Sequence, residues 1–230
     1  MQLFYLENPK KEIILSNDES KHAIKILRKK EGDILNFTDG KGNLYKTVIT
    51  NSNIKRCELK LVSSKQIEKQ HNYHLHIAIA PTKNIDRFEW FLEKAAEIGI
   101  DEITPIICSR SERKIIKYER SKRILLSSIK QSLKYHLPKI NESVSFNNFI
   151  KRDFNSSKYI AHCEDIIKND LKKVPSDSNY LILIGPEGDF SNHEIELSLQ
   201  NQFKSVSLGL SRLRTETAGI VAAHTINMIN

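Results

Sequence analysis

The sequence predicts a two-domain α/β protein: a small N-terminal β-barrel, then a mostly parallel sheet with helices on both faces. Three observations predict it. The first 60 or so residues read as short alternating or β-rich runs separated by turn residues. Residues 63–72 are polar and unpatterned, and read as a linker. Beyond them, apolar strand-length runs alternate with long helical patterns, which is the order that builds a parallel sheet.

In the first part, residues 12–15, 34–37, 44–49 and 57–62 are the expected strands. Asp39-Gly40-Lys41-Gly42-Asn43 is the hairpin turn between two of them, and residues 18–27 read as a short helix. In the second part the expected strands are 75–80, 103–108, 159–163, 181–184 and 206–208. Residues 86–98 form an amphipathic helix with Phe88, Phe91, Leu92, Ala95 and Ile98 on one face and Gly99 as its stop. Further helices are expected over residues 119–135, after Ser191, and from Thr215 onward.

The 39% hydrophobic content supports a buried core, and no apolar run reaches the roughly 20 residues of a membrane span. The start lacks the basic and apolar regions of a signal peptide. Cys57, Cys108 and Cys163 are odd in number and widely spaced, which fits a reducing cytoplasm without a disulfide framework or zinc site. The net charge of +8 favours a polyanionic partner. Residues 1–72 carry 14 Lys+Arg and 9 Asp+Glu, the rest 22 and 19, so the smaller part is the more basic per residue. Its densest run spans residues 21–30 and includes Lys25, Arg28, Lys29 and Lys30.

Ligands of parallel sheets bind at the carboxyl ends of strands. Two such ends are unusual here. Gly185-Pro186-Glu187-Gly188 follows an apolar strand and precedes Ser191-Asn192-His193-Glu194, a capping box. Glycine lets a backbone approach a ligand closely, and proline fixes the turn. The second end is Leu208-Gly209-Leu210-Ser211-Arg212-Leu213-Arg214-Thr215-Glu216-Thr217-Ala218, a basic loop opening into a helix rich in small residues. Each alone also fits an ordinary turn into a helix. Neither is a Walker loop or a dinucleotide fingerprint.

Together, in this order, the two loops resemble the cofactor-binding motifs of the SPOUT superfamily of RNA methyltransferases. More narrowly, they resemble the family that methylates N3 of a uridine in 16S ribosomal RNA. Lys21-His22-Ala23-Ile24-Lys25-Ile26-Leu27-Arg28 is similar to that family's N-terminal signature, and Lys94-Ala95-Ala96-Glu97-Ile98-Gly99 to its Lys-x-x-Glu-Leu-Gly element. Gln131-Ser132 also fits, but Leu133-Lys134 follows where the family has Gly-Arg. The family loop Leu-Gly-Pro-Arg-Ile-Leu-Arg reads here as residues 208–214, which keeps Arg214 and leaves Arg212 without a matching role.

The resemblance implies a PUA-like RNA-binding barrel over residues 1–70 and a methyltransferase domain with a C-terminal trefoil knot over 74–230. It implies S-adenosyl-L-methionine as cofactor, S-adenosyl-L-homocysteine as product and no metal. The cofactor would lie against Leu183, Ile184, Gly185, Glu187, Gly188, Leu208, Gly209, Leu210, Leu213, Arg214, Thr215 and Ala218. Arg214 is the candidate for stabilising charge developing on the uracil; Glu187 and Glu216 are candidate bases, and Glu216 also fits a role confined to the helix N-terminus. Arg110 and Arg113 join the four N-terminal cations as candidate RNA contacts. The implied partner is 16S rRNA within the 30S subunit, in the cytoplasm, with the enzyme a homodimer and no membrane involved. Two rivals are a ribose 2′-O-methyltransferase and a non-catalytic RNA-binding protein.

Overall fold

The computed structural model describes residues 2–164 and 167–230. They form two units: one holds the chain up to Gln70 together with Ile129–Leu137, the other holds His71–Ser128 and Pro138–Asn230.

The first unit is a five-stranded sheet. Its elements are β1 (Leu3–Tyr5), β2 (Glu12–Ile14), a short helix α1 (Asn17–Lys21) continued by a π-turn (His22–Ile26), β3 (Ile34–Thr38), β4 (Asn43–Asn51) and β5 (Glu58–Gln66). The strand order is β1-β3-β4-β5-β2, with β1 parallel to β3 and the other pairs antiparallel. Alternation in β3 sends Leu35 and Phe37 inward, where they meet Phe4, Ile13, Ala23, Ile49 and Leu59. Asp39 organises the hairpin turn, accepting from the Lys41 and Asn43 amides at 2.8 and 3.2 Å. β5 runs four residues into the expected linker, because residues 63–66 pair with β4. Their polarity marks an exposed strand end, since pairing uses the backbone whatever the side chain.

Residues 129–137, expected within the second domain, group with this first unit. Thr38 Oγ1 donates to the Tyr135 carbonyl at 3.1 Å, and the Leu137 amide donates to the Gly40 carbonyl at 2.8 Å. The helix leading into this segment stops at Gln131, short of the expected residue 135. Leu133 there adopts a left-handed φ of 56°, and the Lys134 amide bonds back to the Ile129 carbonyl at 2.9 Å. This is the position where the resembled family carries glycine. Leucine takes the same cap conformation at a steric cost of about 1 kcal/mol.

The second unit contains β6 (His74–Ile79), α2 (Ile85–Ile98), β7 (Glu102–Ile107), α3 (Tyr118–Gln131, whose end belongs to the first unit), β8 (Lys139–Ile140), β9 (Val144–Ser145) and α4 (Phe146–Phe149). It continues with β10 (Ser157–Ala161), β11 (Asn169–Asp170), β12 (Asn179–Ile184), α5 (Asn192–Gln200), β13 (Lys204–Ser207) and α6 (Thr215–Ile229). The sheet order is β11-β13-β10-β12-β6-β7-β8, with β9 also on β7. Every pairing among the described residues of this sheet is parallel. The central strands β6 and β12 are buried almost throughout, as expected of strands covered on both faces. Helix α2 starts on the Asn84 side-chain cap and ends at Gly99, with φ 126°. It buries Phe88, Phe91, Leu92, Ala95 and Ala96.

His76 on β6 lies in a buried polar network. Its Nε2 is 2.7 Å from Thr104 Oγ1, and Asn141 Nδ2 donates to both Thr104 Oγ1 and Glu102 Oε1 at 2.7 Å. Burial lowers the imidazole pKa to about 4, outweighing the upward pull of Glu102. The folded value lies below the unfolded value of about 6.5. The neutral ring's contribution is therefore complete above pH 6.5 and is lost as the pH falls toward 4. Urea unfolding at pH 7, 5.5 and 4 should show a loss of about 3 kcal/mol that His76→Gln largely removes. An equal loss in the variant would assign the acid sensitivity elsewhere.

Candidate functional site

Three strands of the parallel sheet, β10, β12 and β13, deliver their carboxyl ends to one place. There the chain encloses a cavity of about 700 Å³, within the roughly 300–1,000 Å³ of ordinary small-molecule sites. One wall is Ile184, Gly185, Pro186, Glu187 and Asp189; a second is the loop of residues 206–215; a third is Ala161, His162, Cys163 and Lys168.

Local chemistry sets each wall. After β12, the Asp189 amide closes a turn on the Pro186 carbonyl at 2.9 Å, and Asp189 takes a φ of 63°. Its carboxylate accepts from the Cys163 amide at 2.7 Å, joining the first wall to the third. The Ser191–Glu194 capping box is formed in both directions and launches α5. Gly185 has no room for a side chain: an added Cβ would stand 3.0 Å from the Phe190 ring. Its carbonyl accepts from buried Thr215 Oγ1 at 3.0 Å, tying the start of α6 to this turn.

In the second wall, Ser207 Oγ bonds the Gly209 carbonyl and amide at 3.0 and 3.2 Å. Gly209 adopts φ 131°, which L side chains rarely reach. Leu210 is fully exposed beside the cavity. Arg212 and Arg214 are exposed, and no hydrogen bond or ion pair engages either guanidinium among the described residues.

In the third wall, His162 is only 8% exposed. Its Nε2 is 2.9 Å from Ser205 Oγ, while Nδ1 is buried without a partner. Burial lowers its pKa, with Lys168 adding to the effect, so the ring is neutral near pH 7. Burial and Asp189 raise the Cys163 thiol pKa, so this cysteine is no activated nucleophile. No group of three or more His, Cys, Asp or Glu that could hold a metal ion occurs among the described residues.

The structure gathers Ile184, Gly185, Glu187, Leu208, Gly209, Leu210, Leu213, Arg214, Thr215 and Ala218 around the cavity. Leu183 and Gly188 do not join them. Leu183 is fully buried in the core with Phe190 and Ile195. A Cβ on Gly188 would meet Arg110 at 3.3 Å, so its closeness serves that side chain. Glu187 is exposed, and its Oε1 accepts from the Lys83 amide at 2.8 Å. Sequence reasoning missed His162, Cys163, Lys168 and Asp189, and it set aside Arg212, which lines the cavity. The third wall follows a strand the sequence did predict, so the carboxyl-end rule alone could have found it.

The candidate RNA contacts fall into two groups. Lys25, Arg28, Lys29 and Lys30 follow α1 in the first unit, and Ala23 of the same segment is buried in that unit's core. No ion pair holds these four side chains among the described residues. In the second unit, Arg110 Nη1 donates to the Gly188 and Phe190 carbonyls at 2.9 and 3.2 Å. Arg113 donates to the Thr82 and Lys83 carbonyls, its shortest bond being 2.7 Å.

Residues 68–227 match the RNA methyltransferase domain family, and residues 15–62 match the RNA methyltransferase PUA domain. A crystal structure of a probable rRNA-methyltransferase from Porphyromonas gingivalis is 39% identical, with a TM-score of 0.94 over 100% of this chain and 98% of that one. A protein of Legionella pneumophila, solved with the bound cofactor SAM, is 26% identical with a TM-score of 0.88, covering 98% and 96% of the two chains. Ribosomal RNA small subunit methyltransferase E of Rickettsia conorii is 29% identical, over 97% of this chain and 91% of its own length.

Proposed function

The chain belongs to the RNA methyltransferase domain family, and from that premise we propose that it methylates N3 of one uridine in 16S rRNA of the small ribosomal subunit. It is an S-adenosyl-L-methionine-dependent rRNA methyltransferase. The observation that carries the reading is the cavity at the ends of β10, β12 and β13.

The residues present fit the cofactor. Ile184, Leu208 and Leu213 offer apolar flanks for an adenine ring, and Glu187 and Asp189 offer carboxylates to a cationic amino-acid end. His162 Nδ1 is a buried group still lacking a partner. When bound, S-adenosyl-L-methionine supplies an electrophilic methyl group. The protein then orients the acceptor and stabilises its charge. Uracil N3 must lose its proton, and negative charge spreads onto O2 and O4. Arg214 is the residue for that charge, since its guanidinium stands in the cavity wall and no ion pair engages it among the described residues.

The PUA-domain match over residues 15–62 supports RNA binding through Lys25, Arg28, Lys29 and Lys30, and the match over residues 68–227 supports a methyltransferase domain in the rest of the chain, apart from residues 129–137, which group with the first unit. A trefoil knot in the C-terminal segment is supported by the superfamily resemblance and by how α6 is held. Its start bonds to Gly185, and its end receives bonds from Ser176 Oγ and Tyr180 OH. A homodimer is supported by half-buried Ile220 and Val221 and exposed Met228 on α6. A cytoplasmic setting is supported by the rRNA target, and 16S rRNA within the 30S subunit is the partner this reading takes; among the described residues, no helix is long and apolar enough to cross a membrane.

The test is to incubate the protein with labelled S-adenosyl-L-methionine and 30S subunits lacking the modification, then locate the label by digestion and mass analysis. Label on one 16S uridine at N3 is the expected result. Label on a ribose oxygen, or none, refutes the reading.

A further inference from the structure

Beside the cofactor cavity lies a second one of about 660 Å³. Arg212, Leu213 and Arg214 line both, so a molecule in either stands across three residues from the other. The far side of the second cavity is built by Asp86, Arg87 and Trp90 from α2 and by Glu216 and Thr217 from the first turn of α6.

Glu216 is the unusual member. It is only 6% exposed, and its Oε2 is buried with no hydrogen-bond partner. Its Oε1 lies 3.9 Å from Arg87 Nε, beyond hydrogen-bond length. The positive end of the α6 dipole offsets part of the cost of burying this charge. The dipole supplies no donor to Oε2. A buried acceptor left unmet in this way is expensive unless a ligand meets it. Trp90 is 44% exposed, so an indole stands open to the same space.

We propose that this second cavity receives the acceptor base of the RNA, and that Glu216 Oε2 accepts the N3 proton of a uracil ring there. The inference rests on the uridine-N3 reading above. The imide edge of uracil presents acceptor, donor, acceptor: O2, N3–H, O4. The cavity lining holds two carboxylates, of Asp86 and Glu216, among the guanidinium donors of Arg87, Arg212 and Arg214, and of the two Glu216 is the one with a buried oxygen that nothing meets. Trp90 offers a face on which a base stacks. Cytosine presents a lone pair at N3 where uracil presents N–H, so it would set two acceptors against each other and be rejected.

The step balances simply. The N3–H bond breaks with its proton passing to Glu216 Oε2, and the N3 electron pair forms the new N–CH₃ bond. The C–S bond breaks with its electron pair kept by sulfur, leaving the neutral thioether. Glu216 then returns its proton to solvent. Glu187 is less suited to this step, because it is exposed and already accepts from the Lys83 amide.

Trp90 is the chain's one tryptophan and reports on the cavity directly. Titrating the intact protein with uridine 5′-monophosphate should quench its emission saturably, and cytidine 5′-monophosphate should bind at least about tenfold more weakly. Glu216→Gln should lower kcat on 30S subunits about 10²-fold and leave the calorimetric Kd for S-adenosyl-L-methionine within about threefold of wild type. Circular dichroism checks that the variant is folded, and the wild-type titration stands whether or not it is. Absence of quenching by the uridine nucleotide, equal quenching by the cytidine nucleotide, or a folded Gln variant with wild-type kcat each overturns the proposal. If the wild type methylates uridine N3 in that last case, only the role of Glu216 fails. If it places the methyl elsewhere, the underlying reading fails.

Discussion

Replacing Arg214 by alanine should lower kcat for methyl transfer by about 10²–10³-fold, the usual cost of removing one donor that stabilises transition-state charge. The Kd for S-adenosyl-L-methionine should stay within about threefold, because this effect is confined to the transition state. The structure gives the reason for that division. Arg214 is the extended residue just before α6, with φ −71° and ψ 156°. Its backbone continues the loop that walls the cavity proposed for the cofactor, while its side chain is exposed and shared with the neighbouring cavity. Alanine keeps the backbone and removes only the charge. Arg214→Lys retains charge but loses the planar fork, and should recover part of the rate. Single-turnover transfer to 30S subunits and cofactor calorimetry separate the two quantities. A large rise in the cofactor Kd with kcat unchanged would make Arg214 a cofactor anchor and nothing more.

Gly219→Val should cost about 3 kcal/mol of stability and lower Tm by about 6–12 °C. A Cβ at residue 219 would stand 2.6 and 2.7 Å from two Phe91 ring atoms and 3.0 Å from Ile79 Cδ1. Phe91 and Ile79 are fully buried, so neither has open space to move into. Valine adds two methyl groups beyond that point. Glycine in mid-helix ordinarily weakens a helix by about 1 kcal/mol, and here it is the condition for α2 and α6 to approach. Because Thr215 joins α6 to the Gly185 turn, displacement of the helix should also weaken cofactor binding. Thermal denaturation with and without S-adenosyl-L-methionine checks both effects. Unchanged Tm would mean that α6 can withdraw from α2 freely.

The sequence revealed the strand–helix alternation because it is a long-period pattern that burial enforces. Helix α2 is the clearest case: its apolar face, its Asn84 start and its Gly99 stop all carry residue types with a local physical reason. The two loops that line the cavity were legible as loops for the same reason, since glycine, proline and a capping box leave marks. Which side chains of β12 face the cavity was not legible. Residues 180–184 are apolar without alternation and buried throughout, so Leu183 and Ile184 look alike until the sheet is covered. The third wall was missed because Ala161, His162 and Cys163 carry no turn signal, and Lys168 reaches the His162 carbonyl from six residues on. The two-residue strands β8, β9 and β11 are too short to show any period. The end of α3 was overrun because leucine at residue 133 gives no hint of a left-handed backbone.

Arg110 and Arg113 spend their hydrogen bonds on backbone carbonyls, and none of those partners is an anion. A carbonyl fixes a guanidinium's direction without cancelling its charge. Both residues therefore brace the loops around the Gly188 turn and remain sources of positive potential there. That potential reaches about 8 Å at physiological ionic strength before mobile ions screen it. An RNA of the proposed kind would feel that potential before any contact forms, a role in encounter that needs no phosphate contact.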